Sequence, residues 1–191
     1  MIETEDLELR IRLEEITNRY IGEEPGRQIE LIADLFQLYP HSIRIIREVV
    51  PGEPETCRFT CYQYAFDVVG SKRITKIART YTKVYPNSEF VQYLIDHYLS
   101  EVSRSAIQDG DVIVYAQDTQ IKHAGKIIST RVLSKWGLAH LWSHGTFEVP
   151  ASYGSHIRYF QRIPRQTCIE AFSVYAKKRV KDLYGEDLLA V

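Results

Sequence analysis

Apolar side chains recur at helical spacing in several stretches of this chain and condense into short runs in others. Residues 4–21 set Leu7, Ile11, Ile16 and Tyr20 on one stripe among many charges, which predicts an amphipathic helix. Residues 27–39 predict a second, with Ile29, Ile32, Ala33 and Phe36 on one face and Pro40 as its stop. His41-Ser42 starts a short third helix through Val49, and Pro51-Gly52-Glu53-Pro54 then makes a loop. Thr60 to Gly70 reads as one helix, with Thr60 as N-cap, Gly70 as stop and Tyr64, Ala65, Val68 and Val69 at buried spacing. The basic stretch from Ser71 to Lys83 fits strand or helix, with Ile74, Ile77 and Tyr81 apolar. Residues 88–104 predict a firm helix on Phe90, Val91, Leu94, Ile95, Tyr98 and Val102.

From residue 106 the period changes. Asp109-Gly110-Asp111 is a turn signal, Val112–Ala116 a run of strand length, Gln117–Lys122 a polar loop and His123–Ile128 a second strand. Ser129-Thr130 turns the chain into a third strand, Arg131–Trp136, so antiparallel pairing sets His123 opposite Lys135 or Trp136. His140 to Gly154, mixing histidines, aromatics and glycines, predicts a loop lying against a site. Ile157–Arg162 predicts a last strand. Residues 166–184 predict a C-terminal helix burying Phe172, Tyr175, Ala176 and Val180. The fold class is therefore α+β, an antiparallel sheet of about four to six strands with helices packed against it.

Composition narrows the function more than the fold. The 191 residues carry 24 basic and 25 acidic side chains, a net charge of −1, so no electrostatic argument favours nucleic acid or an anionic membrane as partner. No segment reaches the roughly 18 consecutive apolar residues of a membrane span, and the opening residues are acidic. The expectation is a soluble, cytoplasmic protein. Three cysteines, Cys57, Cys61 and Cys168, do not form a disulfide framework, and the Cys57–Cys61 spacing differs from that of redox and zinc motifs. His140 and His144 stand one helical turn apart in sequence, but no carboxylate or cysteine joins them at ligand spacing, so neither metal nor cofactor is expected.

Cys61 is the candidate nucleophile. At a first helical position its thiol meets free amide groups and the positive end of the helix, which favour thiolate. The competing reading is a small buried hydrophobe; Cys168, at the start of the last helix, takes that reading outright. The candidate base is His123.

The order of parts adds to this. Cys61 in Thr60-Cys61-Tyr62-Gln63-Tyr64, then Gly110-Asp111-Val112-Ile113-Val114-Tyr115, then His123-Ala124-Gly125-Lys126-Ile127 resembles the NlpC-type and CHAP-type papain-like cysteine hydrolases. In that superfamily a cysteine opens a helix, a Gly-Asp strand follows and a histidine begins the next strand. The likeness spans roughly residues 55–136, without the small residues that usually follow the nucleophile. It implies a papain-like sheet packed on the Cys61 helix, with a helical extension over 1–50, a core over 51–164 and a C-terminal helix over 165–191. It implies acyl transfer on an amide, peptide or thioester bond, with Cys61 and His123 as catalytic pair. Peptidoglycan-type peptides, acyl-lipids and protein isopeptide bonds are the candidate substrates. The third group, which orients the imidazole, is His144 by preference; the cross-strand alternatives are Ser134 and Lys135, the latter unable to accept an N–H while charged. The alternative function is a catalytically inactive binding or regulatory module on the same fold, with the N-terminal helices as a protein-partner surface.

Overall fold

The computed structural model describes residues 4–19, 25–48, 59–137 and 140–188. Cys57, the Pro51–Pro54 loop and the end of the first predicted helix lie outside them. The elements run Thr4–Arg19 (α1), Pro25–Leu35 (α2), Arg44–Arg47 (β1), Cys61–Ala65 (α3), Lys72–Thr80 (α4), Ser88–His97 (α5), Glu101–Val102 (β2), Val112–Gln117 (β3), Gln120–Ile128 (β4), Arg131–Lys135 (β5), Leu141–His144 (β6), His156–Phe160 (β7) and Arg165–Tyr184 (α6), with short 3₁₀ turns at Arg104–Ala106 and Ala151–Tyr153. Among the described residues this is an α+β fold of six helices and one seven-stranded sheet in the order β1-β6-β5-β4-β3-β7-β2, antiparallel throughout.

Strand alternation splits the core in two. Val112, Val114, Ala124 and Phe160 point to one face, where α3 to α6 cover them with Ala65, Phe66, Ile74, Ile77, Phe90, Leu94 and Phe172. Ile113, Tyr115, Ile127, Val132, Trp136 and Trp142 point to the other, against Leu9, Leu13 and Ile32 of α1 and α2. The N-terminal helices are thus part of the main core.

Five elements differ from the sequence expectation, and the sheet has seven strands where four to six are expected. The polar loop expected over 117–122 is a tight turn, because β4 already begins at Gln120 and pairs there with Gln117. The segment 41–49, read as helix, forms β1. Its Ile45 is half-buried while Arg44, Ile46 and Arg47 are exposed, and pairing with β6 holds it. The helix expected over 88–104 stops at His97, and Glu101-Val102 turns back to pair with β7. The loop expected over 140–154 contains β6, all four of whose residues are buried. The helix expected over 60–70 is only α3, five residues long. Thr60 and Gln63 do form the capping box, with the Thr60 hydroxyl accepting from the Gln63 amide at 3.1 Å and the Gln63 side chain accepting from the Thr60 amide at 2.9 Å. The chain leaves the helix at Asp67, which takes φ +57 and pairs with Lys126 on β4.

Two long-range ties hold the end of the molecule where the site lies. Arg10 of α1, 1% exposed, donates from Nε to the Val149 carbonyl at 3.2 Å and from Nη2 to the Gly154 carbonyl at 2.5 Å. Glu14, one turn on, accepts from the Ser152 amide at 2.7 Å. Together they fasten the 3₁₀ turn carrying Tyr153 to α1. Gly154 closes that turn at φ +92, where any Cβ would strike the Ala116 carbonyl. Gly125 has a different reason: a Cβ there would come within 2.6 Å of Val132 and 3.1 Å of the Leu133 carbonyl, so β5 can lie close across β4.

Candidate active site

Cys61 opens α3, as expected, and is half-buried against the middle of the sheet. Burial is the dominant influence on its thiol and pushes it up to about 11. The amides of Ala124, Tyr62 and Cys61 itself, and the charge of Lys135, pull the other way without overcoming it. The thiolate expected from the helix start is therefore not the resting form; five residues of helix give little dipole to set against desolvation.

Lys135 stands on the same side. It is 2% exposed, with Nζ 5.1 Å from the centre of the Phe59 ring. Burial first, and Arg47 after it, push its ammonium down to about 8, while Cys61 pushes it up. Cysteine and lysine thus lie within electrostatic reach of each other.

His123 is the residue before Ala124, and alternation sets its ring on the Tyr115 side of β4, beneath the Tyr153 turn. It is 1% exposed there. Its ring stacks on Tyr153, with centroids 3.9 Å apart and planes inclined by 16°, and lies 5.7 Å from the Tyr115 ring. Nε2 of His123 has no hydrogen-bond partner, so no hydrogen bond links it to Cys61. Burial, with His144 nearby, holds the imidazole well below its ordinary value, hence neutral. The β4–β5 register, Ile128 with Arg131 to Lys126 with Leu133, would continue to His123 opposite Trp136, but the ladder ends before reaching them.

His144 does not orient His123 through a hydrogen bond. Its Nδ1 lies 2.7 Å from the Gly145 carbonyl, which only a donor can satisfy, so Nε2 accepts from the Ser134 hydroxyl at 2.8 Å. Ser134 in turn accepts from Trp136 Nε1 at 3.1 Å. Both imidazole nitrogens are engaged, and Ser134 is spent on His144. Burial pushes His144 down to about 4, against the Gly145 carbonyl and Glu148.

Tyr153 is the member that sequence reasoning missed; Tyr153-Gly154 reads as a turn against the sheet. The ring covers His123 and lies within electrostatic reach of Cys61. Burial above all, then Cys61, pushes its hydroxyl up, and the Gly137 amide opposes them. The available signal was an aromatic residue directly before a glycine, in a loop already rich in histidine.

Among the described residues no group of three or more histidine, cysteine, aspartate or glutamate side chains is placed to hold a metal ion. No helix among them is long and apolar enough to cross a membrane. Cys168 is buried in α6, its thiol pushed up to about 12 by burial and then by Asp67. Comparison with protein-family models, curated proteins and solved structures yields no match.

Proposed function

We propose that this chain is a thiol-dependent hydrolase or acyltransferase of papain-like (NlpC-type or CHAP-type) design, acting on an amide, peptide or thioester bond through Cys61 and His123. The observation that carries the reading is the unpartnered Nε2 of the buried His123, one residue from the Ala124 amide that meets the Cys61 thiol. A buried polar atom without a partner is costly, and catalytic positions are where such cost is tolerated.

The chemistry differs from that of a standing thiolate–imidazolium pair, because burial holds both groups neutral. His123 then acts as general base during attack. The sulfur–carbon bond forms as the thiol proton passes to the imidazole, and the carbonyl electron pair moves onto oxygen. The Cys61 amide donates to that oxyanion, and the Lys135 charge favours negative charge on sulfur and oxygen alike. Collapse of the adduct breaks the bond to the leaving group, which takes the proton from His123. Water, deprotonated by His123, then releases the acyl group and the thiol is restored.

The test is p-nitrophenyl acetate followed by intact-mass and peptide mapping. One acetyl group on Cys61, with release of nitrophenol lost in Cys61→Ser and in His123→Ala, supports the proposal. Release no faster than in buffer, with Cys61 unmodified, refutes it. That outcome would favour the second reading, a non-catalytic module, whose own support is the Cys61 thiol that burial pushes up to about 11.

A further inference from the structure

We infer that Tyr153 is the positioning residue for His123, fixing the imidazole plane by ring stacking where a hydrogen-bonding third group would ordinarily do so; the inference rests on the acyl-transfer reading above. Nε2 of His123 has no hydrogen bond, and His144, Ser134 and Glu148 are all committed elsewhere. What constrains the ring is the flat contact with Tyr153 and the tilted one with Tyr115. Tyr115 is itself tied down, its hydroxyl donating to the Thr146 carbonyl at 2.8 Å.

A stacking partner positions a ring only if it is itself immobile, and Tyr153 is held on every side. Its amide donates to the Pro150 carbonyl at 3.1 Å and the next amide to Ala151 at 3.1 Å. The Ser152 amide is bound by Glu14, and the Val149 and Gly154 carbonyls by Arg10. Gly154 rests directly on the Ala116 backbone. The α1 helix therefore reaches the imidazole through two steps, by fastening the turn whose aromatic ring lies on it. Stacking uses the face of the ring, so the role belongs to the aromatic system, with the hydroxyl, which accepts from the Gly137 amide, as an added tether.

The experiment compares Tyr153→Phe, Tyr153→Leu and Tyr153→Met in the acetylation assay, with the His123 ring followed by NMR. The expected result is acetylation within about twofold of wild type for the phenylalanine variant and at least tenfold slower for the other two. His123 titration should move toward its ordinary range in the leucine and methionine variants alone, and the pH profile of acetylation should move with it. In the wild type the His123 ring protons should show the upfield shift of a ring lying over an aromatic face, a measurement that needs no variant to fold. A leucine or methionine variant at wild-type rate, a phenylalanine variant as slow as leucine, or the absence of the upfield shift overturns the inference and leaves the hydrolase reading standing. A wild type that does not acetylate at Cys61 removes both.

Discussion

Replacing Arg10 by methionine should be among the more damaging single changes in the molecule. The guanidinium is 1% exposed, and its hydrogen bonds at 3.2 Å to Val149 and 2.5 Å to Gly154 are well formed. The contacts at 3.5 Å to Pro150 and 3.4 Å to Ala151 are too long to count for much. Hydrogen bonds from a charged donor are each worth about 1.5–3 kcal/mol, and removing the donor leaves the carbonyls buried without a partner. Methionine retains the apolar stem, so packing loss is small. The expected loss is about 3–5 kcal/mol, and at about 2–4 °C per kcal/mol for a chain of this size the midpoint should fall by about 6–20 °C. Urea titration and thermal melting both read this. Arg12→Ala is the control, since Arg12 pairs with Glu15 at the open surface and its loss should leave the melt where it was. An Arg10→Met loss below about 1 kcal/mol would refute the claim that the clamp holds the Tyr153 turn.

Three further outcomes follow from the site. Cys61, held near 11 against an ordinary 9.0, should react with iodoacetamide at neutral pH about a hundredfold more slowly than an unstructured cysteine peptide, read by mass spectrometry; an equal or faster rate would contradict the burial argument. His144 is pushed from 6.5 to about 4 on folding, so protonation favours the unfolded chain. Its stabilising contribution is complete above about pH 6.5 and is lost as pH falls toward 4, by about 2–3 kcal/mol at pH 4.5. Urea midpoints should show this slope in wild type and a shallower one in His144→Gln, and equal slopes would count against it. Gly154→Ala should cost more than about 2 kcal/mol, since φ +92 and the Ala116 carbonyl both oppose a side chain; a wild-type melt would show that the turn can move away.

What was legible in the sequence, and what was not, divides along physical lines. The strands β3, β4 and β5 are punctuated by residues with local reasons to turn, Gly110 before them and Ser129-Thr130 between them, so their order could be read directly, although the polar residues Gln120 to Lys122 hid the start of β4. The Thr60 cap likewise fixed where α3 begins, because the capping box is a contact among neighbours. The strand β1 is different. Four residues, Arg44-Ile45-Ile46-Arg47, have no preference strong enough to decide, and it is β6, nearly a hundred positions on, that makes them a strand. β6 itself is buried at all four positions, so it shows no alternation, and its His and Trp residues mimic a binding loop. The end of α3 was hidden because Val68 and Val69 continue the apolar stripe after Asp67 has already turned the chain.

The site follows the same rule. That Cys61 starts a helix is a local fact. The face taken by His123 is not, because an irregularity between Tyr115 and Ala116 breaks the β3–β4 register beside it. The partners of His144 required the β5–β6 register, which sets His144 opposite Val132 and Ser134 opposite Trp142. Tyr153 needed both ends of the chain, since α1 is what presses its turn onto the sheet.

The span of the Arg10 clamp also sets the order in which the chain can assemble. Arg10 and the Val149 carbonyl it grips are 139 positions apart. At about 5–20 residues per second the ribosome needs on the order of ten seconds to make what lies between. Through that interval α1 waits without its clamp, with only α2 at hand to pack on Leu9 and Leu13. Nascent chains stalled before residue 154 should therefore be protease-sensitive in α1, and full protection there should arrive in one late step.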